Sequence, residues 1–254
     1  MRICSATISA TAVVAMLLSL SRIADAAEVK VIAANPLKAA VQQLGPEFER
    51  QTGHKLVTKF VTGPLVKEEI DAGAAFDLAI GPTPLIDGLV KDGKLVSRMD
   101  VAKIGVGLGV RADAPKPDLG SVEAFKELLL KAKSVAHSAQ GESGVYFKSL
   151  LERLGIAEEM KPKLKPMAGD PLANAVPRGE AEMIVSSMPD VIVEGTIPIA
   201  LPPELQKYIN FAAGVSTKAV DTEPAKALVQ FLTSPAAVPA MRAKGLEPGT
   251  SGAI

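Results

Sequence analysis

The chain has no tryptophan, and its 254 residues include only two tyrosines, seven phenylalanines, two histidines and one cysteine. Flat aromatic faces grip sugars and bases, so carbohydrate and nucleobase ligands are disfavoured. Cys4 sits ahead of the apolar part of an N-terminal leader, so the rest of the chain has no thiol for catalysis, cross-linking or a thiolate metal site. His54 and His137 are far apart and no H-E-x-x-H occurs, so no metal centre is expected. Beyond the leader there is no G-x-S-x-G elbow, no S-x-x-K pair and no Walker loop. These gaps predict a protein that is not an enzyme, with no catalytic residues and no cofactor. Charge of either sign is not in excess: 28 basic residues face 28 acidic ones. No global field draws nucleic acid or an anionic membrane, and interspersed charges suit a monomer.

The first residues read as a secretory signal. Met1-Arg2 is a short basic start, residues 8–20 are largely apolar, and Ala24-Asp25-Ala26-Ala27 supplies a small-residue cleavage pattern. The apolar run is short for a membrane span. Residues 1–27 are therefore expected to be removed on export, which points to a periplasmic location. The remainder carries one net negative charge.

Beyond the leader, apolar runs of strand type alternate with helical patterns, which predicts an α/β fold with mainly parallel sheets and helices on both faces. Strands are expected at 29–33, 56–61, 76–80, 101–110, 134–137, 163–167, 181–186, 197–201 and 211–216. Helices are expected at 37–52, 65–72, 83–92, 121–131, 144–154, 171–178, 223–233 and 235–244. The long apolar runs at 101–110 and 211–216 read as crossings between two lobes. The first lobe is expected at 28–105, the second at 106–212, with a return segment of the first at 213–254.

In open sheets of this kind, ligands sit beyond the carboxyl ends of strands, where helix N-termini converge. The turns there are small and polar. They carry Asn35 and Pro36, Thr62 and Gly63, His137 and Ser138, Ser143, Gly169, and Ser186 with Ser187. These ten residues are the candidate ligand contacts. Asn35, Thr62, Ser143 and Asp170 also suit helix N-caps, each taken singly. His137 follows a strand, which aims it at the cleft or packs it beside the cleft.

Five segments, in order, resemble the periplasmic molybdate-binding proteins of ABC importers. They are Val31-Ile32-Ala33-Ala34-Asn35-Pro36-Leu37, Ile70-Asp71-Ala72-Gly73-Ala74-Ala75-Phe76-Asp77, Gly141-Glu142-Ser143-Gly144-Val145-Tyr146 with Leu154-Gly155, Gly179-Glu180-Ala181-Glu182, and Ala225-Lys226-Ala227-Leu228 through Phe231-Leu232-Thr233-Ser234-Pro235. The resemblance implies a two-lobed type II periplasmic binding fold. It also implies capture of a tetrahedral oxyanion by neutral donors, hinge closure, and delivery to a membrane permease. It weakens at the ligand turns. Pro36 stands where the family has a serine, Thr62 or Gly63 stands where it has another, and Ser187 stands where it has a tyrosine. Ser143 replaces an alanine that donates through its backbone. Proline has no N–H, so Pro36, Pro64 and Pro171 each delete a donor near a ligand turn. A larger or less charged solute, such as an organic acid, is the alternative ligand. A sensory or accessory role without an importer is the alternative use.

Overall fold

The computed structural model describes residues 26–249, so the expected leader lies almost wholly outside the described residues. β1 (Glu28–Ala34) passes through the 3-10 turn Asn35–Leu37 into α1 (Lys38–Thr52). Ala40, Val41, Leu44 and Phe48 form the buried stripe of α1, at the spacing of one helical face. β2 (Lys55–Val61) leads into α2 (Gly63–Asp71), and β3 (Leu78–Pro82) into α3 (Thr83–Lys91). β4 (Leu95–Arg111) then runs for 17 residues.

The same strand–turn–helix logic repeats. α4 (Val122–Lys131) is capped by Ser121, whose Oγ accepts the Ala124 N–H at 3.1 Å. β5 (Val135–Ser138) is followed by α5 (Glu142–Arg153) and α6 (Ala157–Met160). β6 (Leu164–Met167) precedes α7 (Asp170–Asn174), and β7 (Met183–Ser187) runs directly into α8 (Met188–Val191). β8 (Thr196–Ala200), β9 (Tyr208–Ser216), α9 (Glu223–Leu232), α10 (Val238–Ala243) and β10 (Leu246–Pro248) complete the order.

The strands line up as β2-β1-β3-β9-β4-β7-β5-β6, with β8 and β10 also pairing to β4. β1, β2 and β3 are parallel, and so are β5, β6 and β7. Each parallel trio is connected through helices, as parallel pairing requires. The long strands that join the trios pair antiparallel. β4 pairs with β9 over residues 95–105, then with β7 and β8 over 106–111. The α/β architecture is the expected one, with parallel pairing confined to the trios.

Four elements depart from the sequence expectation. β4 begins at Leu95, well before residue 101, and β9 begins at Tyr208. The expected helix 171–178 is helical only over Asp170–Asn174. α8 was hidden in a stretch read as a turn. Its seat is made by β4: a side chain at Gly107 would collide with the Met188 sulfur. The missing Cβ lets α8 lie close against the strand. Beneath α7 and α8, Leu172, Val176, Ile184 and Val191 form a small apolar cluster. No helix among the described residues is long and apolar enough to cross a membrane.

Candidate functional site

The turns that leave both parallel trios meet around one cavity of about 380 Å³. β1 contributes Asn35 and Pro36, β2 contributes Thr62, Gly63 and Pro64, and β3 contributes Pro82, with Leu85 from α3. From the other trio come Ser138 and Gly141 to Ser143 after β5, Gly169 after β6, and Ser187 and Asp190 after β7. Ile209 and Phe211 of β9 add apolar wall.

Eight of the ten residues chosen from sequence line this cavity: Asn35, Pro36, Thr62, Gly63, Ser138, Ser143, Gly169 and Ser187. His137 and Ser186 do not, and strand alternation explains both. Ser138 and Ser187 face the cavity, so their neighbours point the other way. His137 is 1% exposed, its Nδ1 lies 2.9 Å from the Ser138 carbonyl oxygen, and its ring packs on Phe147 with centroids 5.9 Å apart. Burial pushes its pKa down against the opposing Ser138 bond, and Lys148 lowers it further. Ser186 is fully buried behind the wall.

The polar groups divide into two sets. On the β1–β3 side, the Thr62 Oγ1 is buried with no hydrogen-bond partner, although Thr62 occupies the N-cap position of α2. An unpaired buried hydroxyl costs about 1–3 kcal/mol. Asn35 opens the turn after β1 and reaches towards Gly169: a Cβ built there would lie 3.9 Å from its amide nitrogen. Gly169 has φ 61° and ψ −144°, a backbone open to glycine alone. Pro36, Pro64 and Pro189 remove N–H groups from the first turns beside the cavity.

On the other side runs a chain of hydroxyls. Ser143 Oγ lies 3.3 Å from Ser186 Oγ, which donates to Asp190 Oδ2 at 2.7 Å. Ser187 Oγ donates to the same oxygen at 2.6 Å. Burial raises the Asp190 pKa, opposed by the Ser187 and Ser186 bonds. Glu142 also lines the cavity. Its pKa is raised by burial and pulled back by Lys207. Ser138 does structural work: its Oγ accepts the Gly141 N–H at 2.9 Å and closes the β5–α5 turn. Among the described residues the lining contains two carboxyl groups and no lysine, arginine or histidine. Among the described residues no cluster of His, Cys, Asp or Glu has the make-up of a metal site.

Sequence reasoning passed over Asp190. Its signal is the spacing Ser187-Met188-Pro189-Asp190, which also reads as a helix capping box. The structure forms no such box. Ser187 makes no cap bond to the backbone and donates to the carboxylate instead. Phe211, Ile209 and Leu85, which supply apolar wall, were not singled out from the sequence either.

Strand-end turns from two linked sheets, closing over one cavity, define a scaffold of the periplasmic-binding type. The sequence profile of the family described as bacterial extracellular solute-binding protein matches residues 29–247, and the chain belongs to that family. It is 30% identical over 234 residues to a molybdate-binding protein of Azotobacter vinelandii, covering 87% of this chain and 90% of the relative. It is 28% identical over 228 residues to an aconitate isomerase of a Pseudomonas species, covering 86% of this chain and 87% of the relative. The solved structure of a periplasmic molybdate-binding protein of Azotobacter vinelandii superposes with a TM-score of 0.72 at 19% identity, covering 86% of this chain and 98% of that one. The fold is thus that of two-lobed solute-binding proteins.

Proposed function

We propose that this protein is the periplasmic solute-binding component of an ABC-type importer, and that its solute is a small organic carboxylate. The proposed lobes are residues 28–105 with 208–249, and residues 106–207. They would hinge near Gly105 and Tyr208, where β4 changes partners. Closure would trap the solute, and the closed form would dock on a membrane permease.

The observation that carries the reading is the make-up of the cavity. It is enclosed by turns from both sheets, has the buried, unpartnered Thr62 hydroxyl in its wall, holds two carboxyl groups and has no cation among the described lining residues. A volume of about 380 Å³ lies within the ~300–1,000 Å³ of organic-ligand sites. A four-oxygen dianion would meet proline where donors are needed and Asp190 where charge is unwelcome. Molybdate remains the reading suggested by the 30% identical relative.

Thermal melting of the purified protein with small mono-, di- and tricarboxylates, molybdate, tungstate, sulfate and phosphate tests this. The shift grows with RT ln(1 + [L]/Kd). Shifts confined to carboxylates support the proposal; a large shift with molybdate alone overturns it.

A second reading is supported by one relative and one feature of the site. The relative is named an aconitate isomerase. The feature is a pair of carboxyl groups in one cavity, Asp190 and Glu142, both with raised proton affinity. Such groups suit proton transfer to and from carbon in an unsaturated acid. Incubation with cis- or trans-aconitate, followed by proton NMR, decides it: steady interconversion makes the protein an enzyme, and its absence leaves binding.

A further inference from the structure

Asp190 is anchored in one direction only. Both serine bonds fall on Oδ2, so the carboxylate accepts at Oδ2 from Ser186 and Ser187 and leaves Oδ1 without a protein donor among the described residues. No cation acts on it: burial and the two serines are the influences on its proton affinity. The two hydroxyls are committed as donors to Oδ2, so Ser187 turns lone pairs, not a proton, towards the cavity. Ser143 can donate to Ser186 in turn, which makes its outer face an acceptor too. This side of the cavity is a wall of acceptors. Across it stand the Thr62 hydroxyl, the Asn35 amide and the Gly63 N–H, which are able to donate, while Pro64 beside them has no N–H.

We infer that the solute is a carboxylic acid bearing its own hydrogen-bond donor, a hydroxyl or an ammonium group, which it gives to Asp190 Oδ1 while its carboxylate faces the α2 turn. Asp190 is then a specificity-determining residue. It rewards a donor-bearing acid and rejects the plain acid, whose binding would bury an ionised carboxylate without a partner. The inference rests on the organic-acid reading above.

The test compares acids that differ only in the donor. Affinities of the purified protein for butyrate, 3-hydroxybutyrate and 3-aminobutyrate, and for succinate and malate, are measured by titration calorimetry. In the wild-type protein at least one donor-bearing acid binds about tenfold or more tightly than its plain partner. The hydroxy and amino arms tell which donor the site takes. In Asp190→Asn the preference shrinks several-fold, and an ammonium preference is lost altogether. For the wild-type protein, affinity for the donor-bearing acid falls on acidification, because a protonated Asp190 no longer accepts as an ion. Glu142, beside Lys207, is the other titratable group of the cavity, and Lys38 pairs with Asp170 between α1 and α7. Glu142→Gln is measured alongside to separate the two carboxyl groups: a pH effect that survives this change supports Asp190, and one that is lost with it overturns the assignment to Asp190. Equal affinities for plain and donor-bearing acids overturn the inference alone. Affinity that rises on acidification also overturns it, since Asp190 would then be donating its own proton to the anion. No binding of any acid removes both the organic-acid reading and the inference.

Discussion

Asp190 sets a cost on the empty protein. Its carboxyl is raised by burial in the folded state, so the folded form holds its proton more tightly than the unfolded chain does. Its contribution to stability therefore declines as pH climbs from the unfolded carboxyl value of about 3.9 through the folded value. Asp190→Asn keeps an oxygen for both serines and removes the charge. It is expected to melt higher than the wild type at neutral pH without solute, with the gap closing towards pH 4. Melting curves across pH check this; a variant that melts lower at neutral pH contradicts it. His137 has the opposite sign. Its folded pKa is lowered, chiefly by burial, so its share of stability is present above about pH 6.5 and is lost as pH falls and the unfolded chain takes up the proton. The two residues also mark where single-residue reading succeeds and fails. Ser138 and His137 sit side by side in the sequence, and only strand parity decides which one meets solute. Asp190 was obscured because the same Ser-x-x-Asp spacing serves a cap or a carboxylate anchored by serine.

At the scale of elements, two close approaches hold the cavity walls in place. A Cβ on Gly144 would overlap the Ser138 carbonyl oxygen, so α5 can seat against the end of β5 only with glycine there. Gly144→Ala should cost about 1–3 kcal/mol in denaturant unfolding, through the forced shift of α5. Gly107→Ala should act differently. It pushes on the Met188 side chain and so displaces α8, which carries Asp190. Solute affinity is expected to fall by more than stability does, and paired binding and unfolding measurements separate the two. The alternation of strands and helices was legible because most elements bury one clean apolar face. The first half of β4 was not, because Arg98 and Asp100 interrupt the apolar pattern and only pairing with β9 makes those residues a strand. The four-residue α8 is too short to show a period, and its position depends on glycines about 80 residues earlier in the chain.

At the scale of the molecule, what matters is how the two halves are held over the solute. Lys38 of α1 donates to Asp170 of α7 at 2.8 Å, with the lysine about one-third and the aspartate about three-quarters exposed. Such a pair contributes little, about 0–1 kcal/mol, and less in salt. This contact is too weak to act as a lock, so closure of the proposed lobes should depend on solute filling the cavity. The family was anticipated by the five resembling segments, the two linked sheets by the strand–helix alternation and its crossings, and the shared cavity by the small, polar turns along the chain. The proposed solute was not, because that reading rests on which oxygen of Asp190 the serines occupy and on a hydroxyl left without a partner. That hydroxyl offers the most direct measurement. Thr62→Val preserves shape and removes the unpaired oxygen. Melting with and without the best carboxylate should show a higher midpoint for the empty variant and a smaller shift on adding the acid. A lower midpoint with an undiminished shift would contradict the claim that this cavity is built to receive a solute.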